Sequence, residues 1–520
     1  TDHGLRAELG FALLRAGEPT RARQHLQAAA SGASTPRDRA DRLVGAASAT
    51  SLLDGPTAAV CELRANLEAW PDRGAESSRR VLEARLASIC SLLPGESQRS
   101  VQRLRQFADL PGHTADERTL LALLAQRERY CQRPADQVAA LAARALGEGA
   151  LLEDVADGAD GMVGWVVAVM ALIATDTIGL AEAEIDRARV RVRGRGSPRE
   201  FGFVSMLAGW LAWRTGDVTA AEAEAESTLA AVADEERGAQ VMAIRATALH
   251  FGILATLERG DPSAAVKALA AFDALQGEAP QLIPATRLSD SRALVALARD
   301  EPARAYDEAM SLGNAVLAAD LDMPAVPWRT TAARAALRLG EDDRARALTT
   351  EHLELSRLWG TSSDIGAALR VLARIEAEKR VDLLAEAIAE LEESPSRLEL
   401  AGALVDLGEA LRVARRRKDA HDPLRRGADL AVACGSRVLR QRALDGLAAL
   451  GDRPRKLMFS GHESLTASER RVAQLALDGR TNRDIAQELF VTPKTVENQL
   501  GRAYIKLGIT GRRQLAEALG

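Results

Sequence analysis

The sequence predicts an all-α protein in which a long array of helical hairpins precedes a small C-terminal helical domain. Ala, Leu, Arg and Glu dominate the chain of 520 residues and favour helices, whereas aromatic residues make up only 3%. Breaks that contain Gly, Pro or Asp recur about every 40 residues, which is typical of repeat architectures. The segment from Arg453 to Gly520 carries 12 basic and 7 acidic residues, a net charge of +5, although the whole chain stands at −5. A basic tail on an acidic body indicates an anionic partner for the tail.

Each predicted repeat consists of a helix, a tight turn and a second helix. In the first repeat, Leu5 and Leu9 recur at helical spacing, a turn follows at Gly17, and Ala22 opens a second apolar stripe. Because one hairpin cannot bury both of its faces, residues 1–450 are predicted to stack into an α-solenoid that resembles tetratricopeptide repeats. The predicted breaks lie at Gly17, Gly55, Gly95, Pro134, Asp176, Gly216, Gly260, Asp300, Gly340, Arg380 and Lys418.

The composition excludes several classes of site. The cysteines Cys61, Cys90, Cys131 and Cys434 form no C-x-x-C pair and have no histidine cluster beside them, so neither a disulfide framework nor a zinc site is expected. Each cysteine is predicted to be a small buried residue. The longest apolar run, Gly161 to Thr175, is shorter than the ~20 residues of a membrane span. We therefore predict no catalytic residues, no metal, no cofactor and no membrane partner for this chain.

Three features of the array allow both a functional and a structural interpretation. Aromatic residues concentrate between Trp165 and Phe251, which fits an effector pocket or the core between stacked hairpins. The basic run from Arg187 to Arg195 fits contact with DNA or with an acidic partner, or a solvated helix end. The basic turn from Arg415 to Lys418 fits a helix C-terminus, where the helix dipole favours cations.

The pattern changes at the end of the array. Residues 451–461 are polar and contain Gly and Pro, which predicts a linker before a domain at residues 462–520. Thr466 and Glu469 have the T-x-x-E spacing of a capping box before an apolar run, and Gly479 is predicted to end this first helix.

Two further helices of the tail form a helix-turn-helix pattern. Thr481 is predicted to cap the second helix, and Thr492 followed by Pro493 begins the third. The third helix is predicted to have an inner face of Val496, Leu500, Ala503 and Leu507 and an outer face of Lys494, Asn498, Gly501 and Ile505. A helix that exposes polar and cationic groups after a short turn is typical of recognition in the major groove of DNA.

The outer side chains of the third helix match what base edges and phosphates require. Asn498 has the donor and acceptor that an adenine edge needs, and Glu497 can accept a hydrogen bond from cytosine. Lys494, Arg502 and Lys506 can neutralise phosphates.

These residues also carry a resemblance to a known family. The motifs Leu465-Thr466-x-x-Glu469-x-x-Val472, Gly479-x-x-Asn482-x-x-Ile485-Ala486, Thr495-Val496-x-Asn498-x-Leu500 and Lys506-Leu507-Gly508 resemble the LuxR-type DNA-binding domain over about 55 residues. The sequence departs from the family at Gln499, where His is usual, and at Gly501, where some relatives have a basic residue. The resemblance implies a four-helix domain that contacts double-stranded DNA through Thr481, Asn482, Thr492, Lys494, Thr495, Glu497, Asn498, Gly501, Arg502 and Lys506.

The end of the repeat array has a resemblance of its own. The segments Ala403 to Arg412, Pro423 to Gly427 and Ala433 to Gly435 look like the helical repeats of large ATP-binding LuxR-type regulators, the MalT-like group. In that group a signal-transduction ATPase precedes the repeats. The chain contains no G-x-x-x-x-G-K-[ST] motif, so we predict no P-loop and no enzymatic activity within it. Two alternatives remain for the ATPase: either this half is missing from the chain, or the protein never had one. The position of Thr1, already inside a repeat, favours the first.

The sequence therefore predicts a bacterial transcriptional regulator, an activator that works in the cytoplasm on the nucleoid. The expected partners are double-stranded DNA, RNA polymerase, an effector of unknown identity and a second copy of the chain. Because one such domain reads only a half-site, self-association is predicted to limit DNA affinity. Two alternatives remain: a scaffold whose repeats bind a protein and whose tail binds DNA as an accessory, and a nucleotide-hydrolysing switch, which the missing P-loop disfavours.

Overall fold

The protein is helical throughout the part of the chain that the structure describes. The computed structural model describes residues 2–70, 75–90, 93, 97–131, 133–154, 162–195, 197–235, 239–274, 282–318, 326–452, 465 and 467–519. Over these ranges the helices are joined by turns and loops, and no β-strand occurs. The predicted all-α fold is therefore confirmed.

The repeat array consists of helices that pack against their neighbours in chain order. Its first part comprises α1 (Asp2–Arg15), α2 (Pro19–Ser31), α3 (Pro36–Leu53), α4 (Pro56–Glu68), α5 (Glu76–Cys90), α6 (Ser97–Arg105), α7 (Ala115–Tyr130), α8 (Ala135–Leu146) and α9 (Ala150–Glu153). Its middle part comprises α10 (Val163–Ala174), α11 (Ile178–Arg195), α12 (Pro198–Thr215), α13 (Val218–Ala231), α14 (Ala239–Glu258), α15 (Pro262–Asp273), α16 (Leu282–Ala298) and α17 (Pro302–Ala318). Its last part comprises α18 (Trp328–Arg338), α19 (Asp342–Trp359), α20 (Ser362–Ile375), α21 (Arg380–Glu392), α22 (Arg397–Val413), α23 (Arg417–Cys434) and α24 (Arg437–Ala449).

The turns between helices lie close to the predicted breaks. The predicted glycines Gly17, Gly55, Gly216, Gly260 and Gly340 all adopt positive φ angles, between 76° and 90°. These angles are open to glycine without steric cost, so each of these glycines lets the chain reverse tightly between two helices. The break at Gly95 lies outside the described residues.

Three predictions about the array are wrong in detail. Lys418 lies inside α23, and the turn comes earlier, at Arg415, which has a φ of 60°. Leu5 and Leu9 are 67% and 43% exposed, because α1 turns a different face, with the buried Leu13, toward its neighbours. Cys61 is exposed, since it follows the inward positions of α4 and points away from them.

The aromatic residues between positions 165 and 251 belong mainly to the core of the array. Trp165, Phe203, Trp210 and Phe251 are at most 6% exposed and pack in one large cluster that extends from α5 to α14. For these four residues the structural interpretation is therefore the correct one. Phe201 is only half-buried, and its ring faces the C-terminal domain.

The array curves until its middle part meets its last part. Arg214, at the end of α12, donates to both carboxylate oxygens of Asp364 in α20, at 3.2 and 3.0 Å. Ser396, just before α22, donates to the backbone oxygen of Arg214 at 3.1 Å. Gly216 permits this approach, because a Cβ atom there would stand 2.6 Å from the backbone nitrogen of Leu398. The helices α12 to α24 therefore form a closed ring of hairpins.

The C-terminal domain has its own hydrophobic core. It comprises α25 (Ala467–Leu477), α26 (Asn482–Glu488), α27 (Pro493–Leu507) and α28 (Leu515–Leu519), with a short 3-10 turn at Arg512–Gln514. Its buried core consists of Leu465, Val472, Ala473, Ala476, Ile485, Ala486, Leu489, Val496, Leu500, Ala503 and Leu515. The predicted four-helix domain is confirmed, and its core includes most of the inward residues expected from the sequence.

Candidate nucleic-acid interface

The second helix of the C-terminal domain begins at a complete capping box. The Thr481 hydroxyl accepts a hydrogen bond from the backbone N–H of Asp484 at 3.2 Å, and the Asp484 carboxylate accepts from the backbone N–H of Thr481 at 3.0 Å. These reciprocal bonds satisfy two backbone donors that a helix start leaves open. Asn482 follows as the first residue of α26 and is half-buried.

The third helix also begins at a capping residue. Thr492 accepts from the backbone N–H of Thr495 at 3.1 Å, and Pro493 occupies the first turn, where its missing N–H costs nothing. Val496 and Leu500 are buried against α25 and α26, which fixes the rotation of α27 about its axis. This rotation decides which side chains face solvent.

The face of α27 that points away from the core carries most of the predicted DNA contacts. Lys494, Glu497, Asn498 and Arg502 are exposed, whereas Thr495 and Gly501 are half-buried beside them. No atom other than those of its own helix backbone lies within 4 Å of where a Gly501 Cβ would be, so this part of the helix surface is open. The structure therefore brings these predicted residues together on one accessible face.

Two cations of this helix have acidic partners within the domain. Lys494 pairs with Glu497 at 3.1 Å, and both side chains are at least half exposed, so DNA can displace this weak pair. Lys506 pairs at 2.6 Å with Glu469, whose side chain is 5% exposed. The predicted capping box of Thr466 and Glu469 involves Thr466, which lies outside the described residues. The ion pair of Glu469 with Lys506 links α25 to α27.

Sequence reasoning missed one cation of the interface. Arg483 lies in the first turn of α26, next to Asn482, and is exposed. Neither Arg483 nor Arg502 pairs with a carboxylate among the described residues. The signal for Arg483 was its place two residues after Thr481, a predicted cap residue that the resemblance already assigns to DNA.

The C-terminal domain lies against the repeat array through α25 and the turn before α27. The rings of Phe490 and Phe201 stack with centroids 4.3 Å apart. Glu488 pairs with Arg193 of α11 at 2.9 Å, and Arg471 pairs with Glu224 of α13, also at 2.9 Å. Ser468 donates to Glu226 in the same contact region. We call this contact the docking interface.

The docking interface accounts for part of the basic run in α11, from Arg187 to Arg195. Arg193 binds an acidic group of the C-terminal domain, while Arg187 and Arg189 pair with Glu184 and Asp186 of their own helix. The run therefore meets an acidic partner within the same chain. Because docking uses α25 and the turn, the outer face of α27 stays exposed.

Other kinds of site find little support in the described residues. No group of three or more His, Cys, Asp and Glu side chains there is arranged to hold a metal ion. One described helix, Gln240–Glu258, is long and apolar enough to cross a membrane, but most of that stretch is buried inside the array.

The C-terminal domain is similar to known bacterial regulatory proteins. Residues 463–519 match the family described as bacterial regulatory proteins, luxR family. The spore germination protein GerE of Bacillus subtilis (strain 168) is 43% identical over 56 residues, which are 11% of this chain and 76% of GerE. A protein described as an HTH-type transcriptional regulator of Mycobacterium tuberculosis (strain ATCC 25618 / H37Rv) is 40% identical over 89 residues, or 17% of this chain. That match spans 10% of the length of the mycobacterial protein.

Solved helical-repeat structures are also similar to the array. A Signal Transduction ATPase with Numerous Domains with a tetratricopeptide repeat sensor, from Pyrococcus horikoshii, aligns over 89% of this chain and 73% of its own, with 11% identity and a TM-score of 0.35. The APC/C hetero-tetramer Cut9-Hcn1 aligns over 86% of this chain and 93% of its own, with 13% identity and a TM-score of 0.32. Likenesses at these TM-scores carry no argument about function.

The capped helices, the separate core and the matched relatives agree on the C-terminal domain. The chain belongs to the luxR family of bacterial regulatory proteins.

Proposed function

We propose that this chain is a sequence-specific DNA-binding transcriptional regulator. The observation that carries the proposal is the outer face of α27, where Asn498, Glu497 and Arg502 are exposed together while the docking interface covers a different side of the domain. A helix of this kind fits the major groove, where an exposed amide can bond both to a donor and to an acceptor of one base.

The charge of each exposed side chain decides whether we propose a contact with phosphate or with a base. Lys494, Arg483 and Arg502 contact phosphates, because each is an exposed cation at the edge of the helix-turn-helix surface. Asn498 and Glu497 contact bases. The hydroxyls of Thr481 and Thr492 cap the starts of α26 and α27. These two helix starts, which include Asn482 and Thr495, approach the DNA backbone.

The repeat array is proposed to receive the signal that controls DNA binding. The docking interface joins the array to the C-terminal domain, so a change in the array can alter the placement of the recognition helix. We further propose that the regulator acts as an activator in the cytoplasm, that it contacts RNA polymerase, and that two copies associate on one operator. Two half-sites bound together give the affinity that one small domain lacks.

The test measures the affinity of the full chain for a pool of random-sequence duplexes at salt concentrations from about 50 to 200 mM. Counterion release predicts that affinity falls steeply over this range. Arg502→Gln is expected to reduce the slope of log affinity against log salt by about 1, since one phosphate contact is lost. The matched control is Arg346→Gln, on the outer side of α19 in the array.

The result that supports the proposal is a shallower slope for Arg502→Gln and an unchanged slope for Arg346→Gln. An affinity that does not depend on salt, or equal slopes for both variants and the parent chain, would contradict it.

A further inference from the structure

The ring of hairpins lines a partly open cavity of about 760 Å³. Its wall is formed mainly by the inner helices α12, α14, α16, α18, α20, α22 and α24. A volume of this size falls within the range of pockets that hold small organic molecules. Neither the luxR-family resemblance nor the DNA-binding surface accounts for this cavity.

The cavity wall is rich in arginine, and almost every arginine has an acidic partner. Arg214 pairs with Asp176 and Asp364, Arg338 with Asp300, Arg370 with Glu399 and Asp406, Arg374 with Asp406, and Arg442 with Asp406 and Glu409. These pairs neutralise the wall and hold neighbouring helices together.

Arg334 of α18 is the exception. Among the described residues no carboxylate lies within ion-pair distance of its guanidinium and no hydrogen bond engages it, although it lines the cavity. Burial, with repulsion from Arg374 and Arg370, lowers the pKa of Arg334 to about 10, and it remains a cation at neutral pH. An uncompensated cation inside a protein is costly unless an anion balances it.

The carboxylates that face the cavity are occupied elsewhere. Glu399 accepts from Arg370 at 2.8 Å, and Glu258 accepts a hydrogen bond from Ser436. Burial raises the pKa of Glu258, which weakens its negative charge. Asp290 accepts from Thr331 at 3.4 Å, and His250 stands beside it, 3.9 Å away.

Apolar side chains complete the cavity wall. The rings of Trp210 and Phe251 stack with centroids 5.9 Å apart, and both line the cavity with Leu254 and Leu294. A guanidinium binds carboxylate or phosphate groups with two parallel hydrogen bonds. The half-buried side chains of Trp213, Leu254 and Leu294 offer a surface for an apolar body.

We propose that this cavity binds a small organic anion whose carboxylate or phosphate group pairs with Arg334 and whose apolar part packs on the half-buried Trp213, Leu254 and Leu294. The role of this anion as an effector rests on the proposed function above, but its binding to the cavity does not require DNA. The anion would supply the negative charge that the wall lacks at α18.

The test uses the full chain without DNA and three probes of similar shape: benzoate, phenyl phosphate and the neutral benzamide. Binding is followed by tryptophan fluorescence, since Trp210 and Trp213 line the cavity, and by the thermal midpoint. The variant is Arg334→Gln, and the matched control is Arg344→Gln, an exposed arginine of the adjacent helix α19. Arg334→Lys keeps the charge and removes the paired donors.

We expect at least one of the two anions to bind the parent chain and Arg344→Gln equally, and Arg334→Gln about tenfold more weakly. Arg334→Lys should lie between them, and the stronger anion identifies carboxylate or phosphate as the preferred group. Without a probe, Arg334→Gln should melt no lower than the parent, because it removes a cation next to Arg370 and Arg374. Equal responses to benzamide and the anions, or no difference between the parent and Arg334→Gln, would overturn the proposal. Because no DNA is present, that result would leave the DNA-binding proposal intact.

Discussion

Removal of the Phe201 ring is predicted to release the C-terminal domain from the array. Phe201 belongs to α12 and stacks on Phe490, the residue in the turn before the recognition helix. The substitution Phe201→Ala therefore weakens the docking interface and leaves every residue of the C-terminal domain in place. It separates the effect of docking from damage to the DNA-binding surface.

The size of the effect follows from the geometry of the ring pair. An aromatic pair contributes about 0.5–1.5 kcal/mol beyond burial. Both rings are half-buried, so the lost apolar contact adds about 1 kcal/mol. A total of about 2 kcal/mol corresponds to a docking equilibrium roughly 30-fold weaker. The pair Arg193–Glu488 adds less, because the arginine side chain is 50% exposed and solvent screens it.

Hydrogen exchange read by mass spectrometry measures this change in the full chain. Amides of α25 and α13, which face each other across the docking interface, are expected to exchange faster in Phe201→Ala, by up to about 30-fold. The control is Phe107→Ala, because Phe107 is also half-buried and packs on the same cluster of the array. If α25 exchanged at the same rate in both variants and in the parent chain, the docking interface would not form in solution.

Two further predictions concern charged pairs. Lys506→Ala removes the cation that neutralises the buried Glu469. It is expected to lower the free energy of unfolding of the domain, measured by urea denaturation, by about 1–3 kcal/mol. Lys494→Ala, the control, should change this free energy by less than about 0.5 kcal/mol. Asp406→Asn should destabilise the array by about 3–5 kcal/mol at pH 7, because three arginines lose a buried partner. These arginines hold the pKa of Asp406 far below its ordinary value despite burial. The contribution of Asp406 to the free energy of unfolding is therefore complete above the unfolded pKa of about 3.9 and is lost as pH falls further. The stability difference between parent and Asp406→Asn should therefore stay constant above about pH 5 and shrink below about pH 4, and a difference that grew on acidification would contradict the assignment.

Much of the fold was open to prediction because its determinants are local. A glycine that reverses the chain, such as Gly216, and a threonine that caps a helix, such as Thr492, act on residues next to them in sequence. The inner face of α27 was likewise predictable, since helical periodicity alone places Val496 and Leu500 on one side.

Contacts between distant segments were not open to prediction in the same way. The pair Arg214–Asp364 joins residues 150 positions apart, and it depends on the curvature that many hairpins accumulate. The stacking of Phe490 on Phe201 depends on where the last domain comes to lie. Lys506 illustrates a subtler case. Its exposed position on α27 predicts a phosphate contact, whereas its ion pair with Glu469 depends on the register between α25 and α27, which the sequence alone does not show.

We propose that the outer face of α27 reads DNA sequence through Asn498. The most direct test selects preferred duplexes from a random pool with the full chain, with Asn498→Ala and with Gln474→Ala. Gln474 is an exposed amide on α25 whose side chain donates to Asp478 at 3.3 Å, and it serves as the matched control. We expect Gln474→Ala to yield the parent consensus. Asn498→Ala should lose its preference at one base pair, with a cost of about 1–3 kcal/mol on the best site. An identical consensus for Asn498→Ala and the parent chain would contradict the claim.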